Sequence, residues 1–271
     1  MNIKLVGILN VTPDSFSDTG KYLDPNNAIV HAKKLFLDGA HVIDIGGQSS
    51  GPGSLGLSHE IEWLRIKDVV QEVCKFIKVS IDTYHPEIAE KSLAAGASII
   101  NDITAARSAD MLSVIKGSNA KIVLMYSAQR LPHDFSHLET KNFPRSFDII
   151  REISEFFKER VEMALSKGVN LDQIILDPSM GAFISADSKI SWDLISRFAE
   201  FKSLGLPIMF ASSRKGFLKR ANEVDPKDRD PLSALTGFLV AQKLNFTGPD
   251  YIRTHNVALQ KDFLCFQEDS L

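Results

Sequence analysis

The sequence predicts a single parallel (β/α)8 barrel occupying residues 1–271 as one domain. Three observations predict it. Short apolar runs alternate with longer amphipathic ones eight times, in a length typical of one such barrel. A helix–Gly–Ala–x–strand–polar design recurs, in Asp38-Gly39-Ala40-His41-Val42-Ile43-Asp44 and again in Ala95-Gly96-Ala97-Ser98-Ile99-Ile100-Asn101. Nearly every strand candidate ends in an amide, a carboxylate or a base, and a barrel gathers those ends on one face. An open doubly wound sheet is the alternative; a Gly-rich phosphate fingerprint after the first strand would support it, and the sequence has none.

The strands expected from apolar runs are Lys4–Leu9, Val42–Ile45, Lys78–Asp82, Ser98–Asn101, Lys121–Met125, Gln173–Asp177, Pro207–Ala211 and Asp250–Arg253. The helical periods between them fall at Asn26–Asp38, His59–Phe76, Pro86–Ala95, Ala109–Lys116, Phe147–Lys167, Ser191–Leu204, Leu232–Asn245 and Leu259–Phe266. Gly39, Gly96 and Gly168 follow helices at the position where a left-handed residue ends the last turn. Arg130–Phe143 has no period and reads as an extended loop, and no linker divides the chain.

Hydrophobic residues make up 44% and charged residues 24%, the balance of a globule with a large core. A net charge of −3 and an isoelectric point near 6.2 leave no electrostatic footprint for nucleic acid. Cys74 and Cys265 form neither a disulfide framework nor a metal pattern and read as buried free thiols. With no signal-like N-terminus and no 18-residue apolar stretch, the expectation is a cytoplasmic protein with no membrane partner.

The strand ends are Asn10, Asp44, Asp82, Asn101, Met125, Asp177, then Arg214 and Lys215, and finally Arg253 with His255. Asp82-Thr83 and Asn101-Asp102 could each be an ordinary helix cap; a complete ring describes a polar pocket, with carboxylates on one side and cations on the other. Lys215, Arg214, Arg253 and His255 come from strands 7 and 8, where barrel enzymes often hold phosphate. Ser212 and Ser213 add hydroxyls there. Asp82, Asp177 and Asn101 suit a heterocycle rich in N–H donors. Mg2+ beside Asn10 would neutralise a pyrophosphate while keeping few protein ligands. The residues alone thus describe a site for a polar heterocycle bearing a phosphate or pyrophosphate.

The stretches Gly7–Asp18, Asp44–Gly53, Ser80–Thr83, Asn101–Ile103, Asp177–Gly181, Ser213–Lys215 and Arg253–His255 resemble dihydropteroate synthase, in that family's order and over essentially the whole chain. The string Asn10-Val11-Thr12-Pro13-Asp14-Ser15-Phe16-Ser17-Asp18 is the most specific of them. The resemblance implies an enzyme that joins 6-hydroxymethyl-7,8-dihydropterin pyrophosphate to p-aminobenzoate and releases pyrophosphate in folate synthesis. By position, Asp82, Asn101, Met125, Asp177 and Lys215 would hold the pterin. Asn10 would face Mg2+ and the pyrophosphate, with Arg253 and His255 on the leaving group. Asp18 would complete the site as loops 12–20 and 48–58 close, and a homodimer through the last two helices is implied. The reaction implied is dissociative, with Asp82 and Asp177 stabilising a cationic pterin.

Several positions depart from the family's pattern. Ser50-Gly51 stand for the usual Thr-Arg, Ser179–Ile184 for a Gly-x-Gly-Phe-Gly-Lys run, and Tyr126-Ser127 for a strand-5 end that commonly continues with His. Asn256 stands for the usual Asp after His255. The departures gather on the p-aminobenzoate side, which the resemblance places at Ser50, Gly51, Phe183 and Ser213, and they resemble sulfonamide-insensitive versions of the enzyme. A non-catalytic pterin-binding relative and a cobalamin-type pterin methyltransferase are the rival readings; the second would lack the Ser-Arg-Lys and Arg-x-His pair. Among the remaining residues, His31, His41, His59, His85, His133 and His137 show no metal-ligand spacing and read as surface or loop residues. Phe156, Phe157, Phe263 and Phe266 read as packing, and Asp225–Asp230 as a solvated loop.

Overall fold

Eight parallel strands form one sheet in the order β6-β5-β4-β3-β2-β1-β8-β7. They are β1 (Ile3–Asn10), β2 (Val42–Gly46), β3 (Lys78–Asp82), β4 (Ile99–Asp102), β5 (Lys121–Met125), β6 (Ile174–Asp177), β7 (Met209–Phe210) and β8 (Asp250–Thr254). A bridge between Leu176 and Ile208, with the Leu176 N–H donating to the Pro207 carbonyl at 2.9 Å, brings β6 against β7 and rounds the sheet into a barrel. The computed structural model describes residues 3–12, 24–129, 131–136, 138, 148–223, 225–244 and 249–265.

The helices among the described residues are α1 (Pro25–Leu37), α2 (His59–Val73), α3 (Pro86–Ala94), α4 (Ala109–Lys116), α5 (Ile149–Ser166), α6 (Ser188–Ser196), α7 (Asp230–Lys243) and α8 (Val257–Cys265). Local chemistry sets their ends. The Asp24 carboxylate accepts the Asn26 N–H at 2.9 Å ahead of Pro25, and Asp148 accepts those of Ile150 and Arg151 at 3.0 and 3.3 Å. Gly39, Gly96 and Gly168 carry φ of 105°, 107° and 88° and end α1, α3 and α5 as expected.

Strand alternation divides the barrel into two cores. Outward residues such as Leu9, Ile43, Ile81 and Leu124 join Leu35, Ile66, Ile88 and Phe157 of the helices. Inward residues Val6, Val42, Ile99, Val123, Ile175, Met209 and Tyr251 form a separate apolar cluster inside the barrel. Two residues further along five of these strands stand Asp44, Asn101, Met125, Asp177 and Arg253. The polar ring is therefore built directly on an apolar plug.

Three expectations change. The helical period Ser191–Leu204 divides at Arg197 (φ −111°, ψ 12°) into α6 and a 3-10 stretch, Phe198–Leu204. That break seats Phe198 edge-on against both Phe201 and Phe210, with centroids 5.7 and 5.2 Å away. Neither thiol is fully buried: Cys74 is half-buried and Cys265 exposed. The acidic–basic run 225–230 is not simply a solvated loop, because a 3-10 turn, Pro226–Arg229, leads into a buried Asp230. Phe157 lies in the core with Phe156 packed against it, while Phe266 and half of the expected loop 130–143 lie outside the described residues.

Candidate active site

The inward positions at the strand ends meet through Arg253. Its Nε–H donates to Asp44 Oδ2 at 2.6 Å and its Nη2–H to Asp82 Oδ2 at 2.8 Å. Asn101 Nδ2–H donates to the same Asp44 oxygen at 3.2 Å. The expected division into an acidic and a cationic side is thereby corrected. β8 pairs with β1, and β1 with β2, so the long Arg253 side chain reaches across the mouth and lies among the carboxylates. Asp44, a strand end assigned no role from sequence, is the hub of this arrangement. Asp44 Oδ1, Ser80 Oγ, Asn101 Oδ1 and Thr12 Oγ1 are buried and have no hydrogen-bond partner among the described residues.

Burial dominates the electrostatics. It pushes the Asp82 carboxyl up to about 7; Arg253 opposes the rise, while Asp44, Asp102 and Asp177 add to it. Burial also raises Asp177, against the pull of Lys215 and the Ser179 N–H, which donates to Asp177 Oδ1 at 2.7 Å. Lys215 is brought down to about 8, burial outweighing the nearby Asp177. Its Nζ stands 5.3 Å from the centroid of Phe183, a cation–π distance. Met125, at the end of β5, is buried beside Asp177 in register. Asp102 belongs to the fold, though not as a helix cap: its carboxylate accepts the Thr104 N–H and hydroxyl and the Ala106 N–H in the turn after β4, while α4 begins behind Ser108.

The expected cations from strands 7 and 8 separate. Arg214 turns away from the mouth, and its Nε and Nη2 bind the Asp230 carboxylate at 2.6 and 2.9 Å. His255 Nδ1 pairs with Ser213 Oγ at 2.9 Å, and the same hydroxyl accepts the His255 backbone N–H at 3.0 Å. Burial first, then Arg214, Arg253 and His31, hold the His255 ring far below its ordinary value, so it serves as a neutral hydrogen-bonding group rather than a cation.

The β2–α2 loop brings Gln48 and Ser50 into a cleft shared with Asp82, Thr83, Tyr84, Ile103 and Glu62. Its base is held close to α2 at Gly47, where a Cβ would fall 2.9 Å from Ile66 Cγ2 and 3.0 Å from the Glu62 carbonyl oxygen. Gly47→Ala is expected to cost about 1–3 kcal/mol by overpacking, measured by urea denaturation; an unchanged midpoint would show that the loop base can yield. A Cβ on Gly51, by contrast, would meet nothing within 4 Å. Asn10 ends β1 opposite Gly46, with its Oδ1 3.7 Å from where a Cβ on that glycine would sit. Asp18 lies outside the described residues, as does all of loop 12–20 after Thr12.

Glu62 was not anticipated as part of this cleft. Its side chain is 1% exposed, Oε1 has no hydrogen-bond partner among the described residues, and Oε2 lies 3.7 Å from His85 Nε2. Burial raises it to about 7, with Thr83 lowering and Asp82 adding to the shift. A carboxyl raised in the folded state ionises first in the unfolded chain, so it removes stability as pH rises from about 4.5 through 7. Glu62→Gln is accordingly expected to gain on wild type by about 1–3 kcal/mol between pH 5 and pH 8. Thermal melts at the two pH values check this, and a stability difference independent of pH would contradict it.

Residues 6–255 match the pterin binding enzyme family. The chain belongs to that family. Among pterin binding enzymes it is 38% identical over 266 residues to the Escherichia coli dihydropteroate synthase type-3, covering 96% of this chain and 97% of the relative. The Yersinia pestis dihydropteroate synthase solved with a sulfonamide drug superposes with a TM-score of 0.88 at 28% identity, over 99% of this chain and 94% of that one. The Anaplasma phagocytophilum dihydropteroate synthase with bound 6-hydroxymethylpterin-monophosphate does so with 0.86 at 30% identity over the full length of both.

Proposed function

We infer that the chain is a dihydropteroate synthase, a transferase that condenses 6-hydroxymethyl-7,8-dihydropterin pyrophosphate with p-aminobenzoate in folate biosynthesis. The observation that carries the residue-level reading is the Arg253 guanidinium shared between Asp44 and Asp82 at the barrel mouth. In the reaction the exocyclic C–O bond breaks, pyrophosphate departs with the electron pair, and the amine nitrogen forms the new C–N bond and loses a proton. Asp82, Asn101 and Asp177 accept the pterin's N–H groups, with Met125 and Lys215 against the ring. Asp82 and Asp177 favour the cation that develops as the leaving group departs. Arg253 has five N–H donors, two of them committed to carboxylates, and offers the rest to the departing anion beside His255. Ser50, Gly51, Phe183 and Ser213 lie on the p-aminobenzoate side, and Asp18 is assigned to the same site.

Mg2+ fits at Asn10. Asn10 would hold it through its amide oxygen, which stands beside Gly46 at the end of β1, with substrate oxygens and water in the shell, a habit of this ion. When bound it would neutralise pyrophosphate charge. The protein acts in the cytoplasm as a homodimer through α7 and α8; Leu235 and Leu239, 37% and 38% exposed on α7, support that face. No helix among the described residues is long and apolar enough to cross a membrane.

The test is pyrophosphate release by purified protein given the pterin pyrophosphate and Mg2+. Release that depends on p-aminobenzoate, with dihydropteroate as product, is expected. Pterin binding without turnover would instead favour the non-catalytic relative. The departures around Gly51 and Phe183 favour weakened sulfonamide discrimination of this active enzyme, and a sulfonamide inhibition constant in the range of sensitive synthases would refute that.

A further inference from the structure

His133 was expected to be a surface or loop residue, and the structure places it in a loop at the centre of a polar clasp. Its ring Nε2 faces both the Gln48 side-chain amide and the Tyr84 hydroxyl, the latter at 3.2 Å. Its Nδ1 lies 2.9 Å from Ser54 Oγ, which in turn donates to the Gly51 carbonyl at 2.5 Å. Gln48 uses its other amide hydrogen on the Tyr84 hydroxyl at 3.0 Å, and its Oε1 accepts the Leu57 N–H at 3.3 Å.

These contacts admit one consistent set of hydrogens. Gln48 Nε2 can only donate, so His133 Nε2 is an acceptor and Nδ1 carries the proton that goes to Ser54. The ring must therefore be neutral, and burial followed by the neighbouring His85 holds it below the ordinary histidine value. His133 also has φ of 65°, a left-handed conformation that a non-glycine residue keeps where its surroundings demand it. A Cβ on Gly56 would meet His133 Cδ2 and Tyr84 Oη at 3.6 Å each, so the ring and the phenol pack on the loop backbone. One imidazole thus joins residues 48–57 to the segment after β5 and to the β3–α3 loop. The first and last of those linked elements, at Gln48, Ser50 and Tyr84, wall the cleft that contains Asp82.

We propose that His133 is a positioning residue for the second substrate, pinning the β2–α2 loop so that Ser50 and Gly51 present their edge to the arylamine beside Asp82. The proposal rests on the assignment of that loop to the p-aminobenzoate side. It gives the loop an uncharged anchor at a stretch where the residue at 51 contributes no side chain. His133 touches the loop and not the reacting atoms, so its removal acts on how the amine is held.

Three proteins test this: wild type, His133→Ala and His133→Gln, the last keeping an acceptor for Gln48 and Tyr84. Alanine is expected to raise KM for p-aminobenzoate roughly tenfold while KM for the pterin pyrophosphate stays within about twofold, and glutamine to recover most of the loss. Backbone amide exchange over 48–57 in the substrate-free protein is expected to speed up in His133→Ala and to return toward wild type in His133→Gln. Unchanged exchange in the alanine variant, two KM values rising in parallel, or no recovery by glutamine would each overturn the clasp. The exchange measurement needs no turnover. A protein that binds pterin without catalysing would therefore sink the functional reading and still leave the clasp decided by the loop's exchange.

Discussion

Replacing Arg253 with methionine is expected to cost about 3–5 kcal/mol of folding stability and to abolish turnover. The guanidinium is the common partner of Asp44 and Asp82 and also draws on Asp177. Without it, the Asp44 and Asp82 carboxyls face each other with Lys215, on the Asp177 side, as the remaining nearby cation. In the folded variant they would hold their protons to higher pH than in the unfolded chain. The variant therefore loses stability as pH rises, and its deficit against wild type should be larger at pH 8 than at pH 5.5. Urea denaturation at the two pH values measures this directly. Adding Asp44→Asn to the variant should return part of the loss, because one of the stranded charges is then gone. A deficit equal at both pH values, unrelieved by the second change, would mean that Arg253 acts by packing alone.

Asp82→Asn is expected to lower kcat/KM by roughly 10²–10³, the scale for removing one preorganised group from a developing charge. Its pH signature is more specific than its size. Wild-type kcat/KM should climb as Asp82 ionises at about 7 and fall as Lys215 deprotonates at about 8, giving a narrow bell. In the asparagine variant the acid limb should disappear and the alkaline limb remain. A bell of unchanged shape would assign the acid limb to another carboxyl, with Glu62, raised to about 7 in the same cleft, the first to examine.

The contrast between what the chain's pattern discloses and what it withholds follows the range of the interactions. Strands β3 and β5 fall at Lys78–Asp82 and Lys121–Met125, as expected, because an apolar run bounded by a charged residue and a loop is a local signal. The helix after β6 was expected to be continuous, since Ser191–Leu204 keeps a helical period. What breaks it is the packing of Phe198 on Phe210, a contact between elements. The ring of strand ends was legible for the same reason as the strands. The pairings within it were not: Arg214 belongs to Asp230 sixteen residues on, and Arg253 to Asp44 more than two hundred residues back. Spacing alone carries no information about either. His133 was hidden in the same way, since its partners lie in two other loops. Glu62 was different. It shares a helical stripe with Ile66, Val69, Val70 and Val73, and a carboxylate on an otherwise apolar face is a readable sign of a buried charge.

The apolar plug beneath the polar ring has a consequence for traffic. Val6, Val42, Ile99, Val123, Ile175, Met209 and Tyr251 stopper the barrel from below, so the site is a cup with one rim. With the pterin on the floor, against Asp177 and Asn101, and the amine at the lip near Ser50, as proposed, the floor would fill before the lip and the two would leave joined as one product. Queueing is then a property of the vessel's shape. An occupant of the lip alone would keep the floor vacant, while an occupant of the floor alone would leave the lip free for the next arrival.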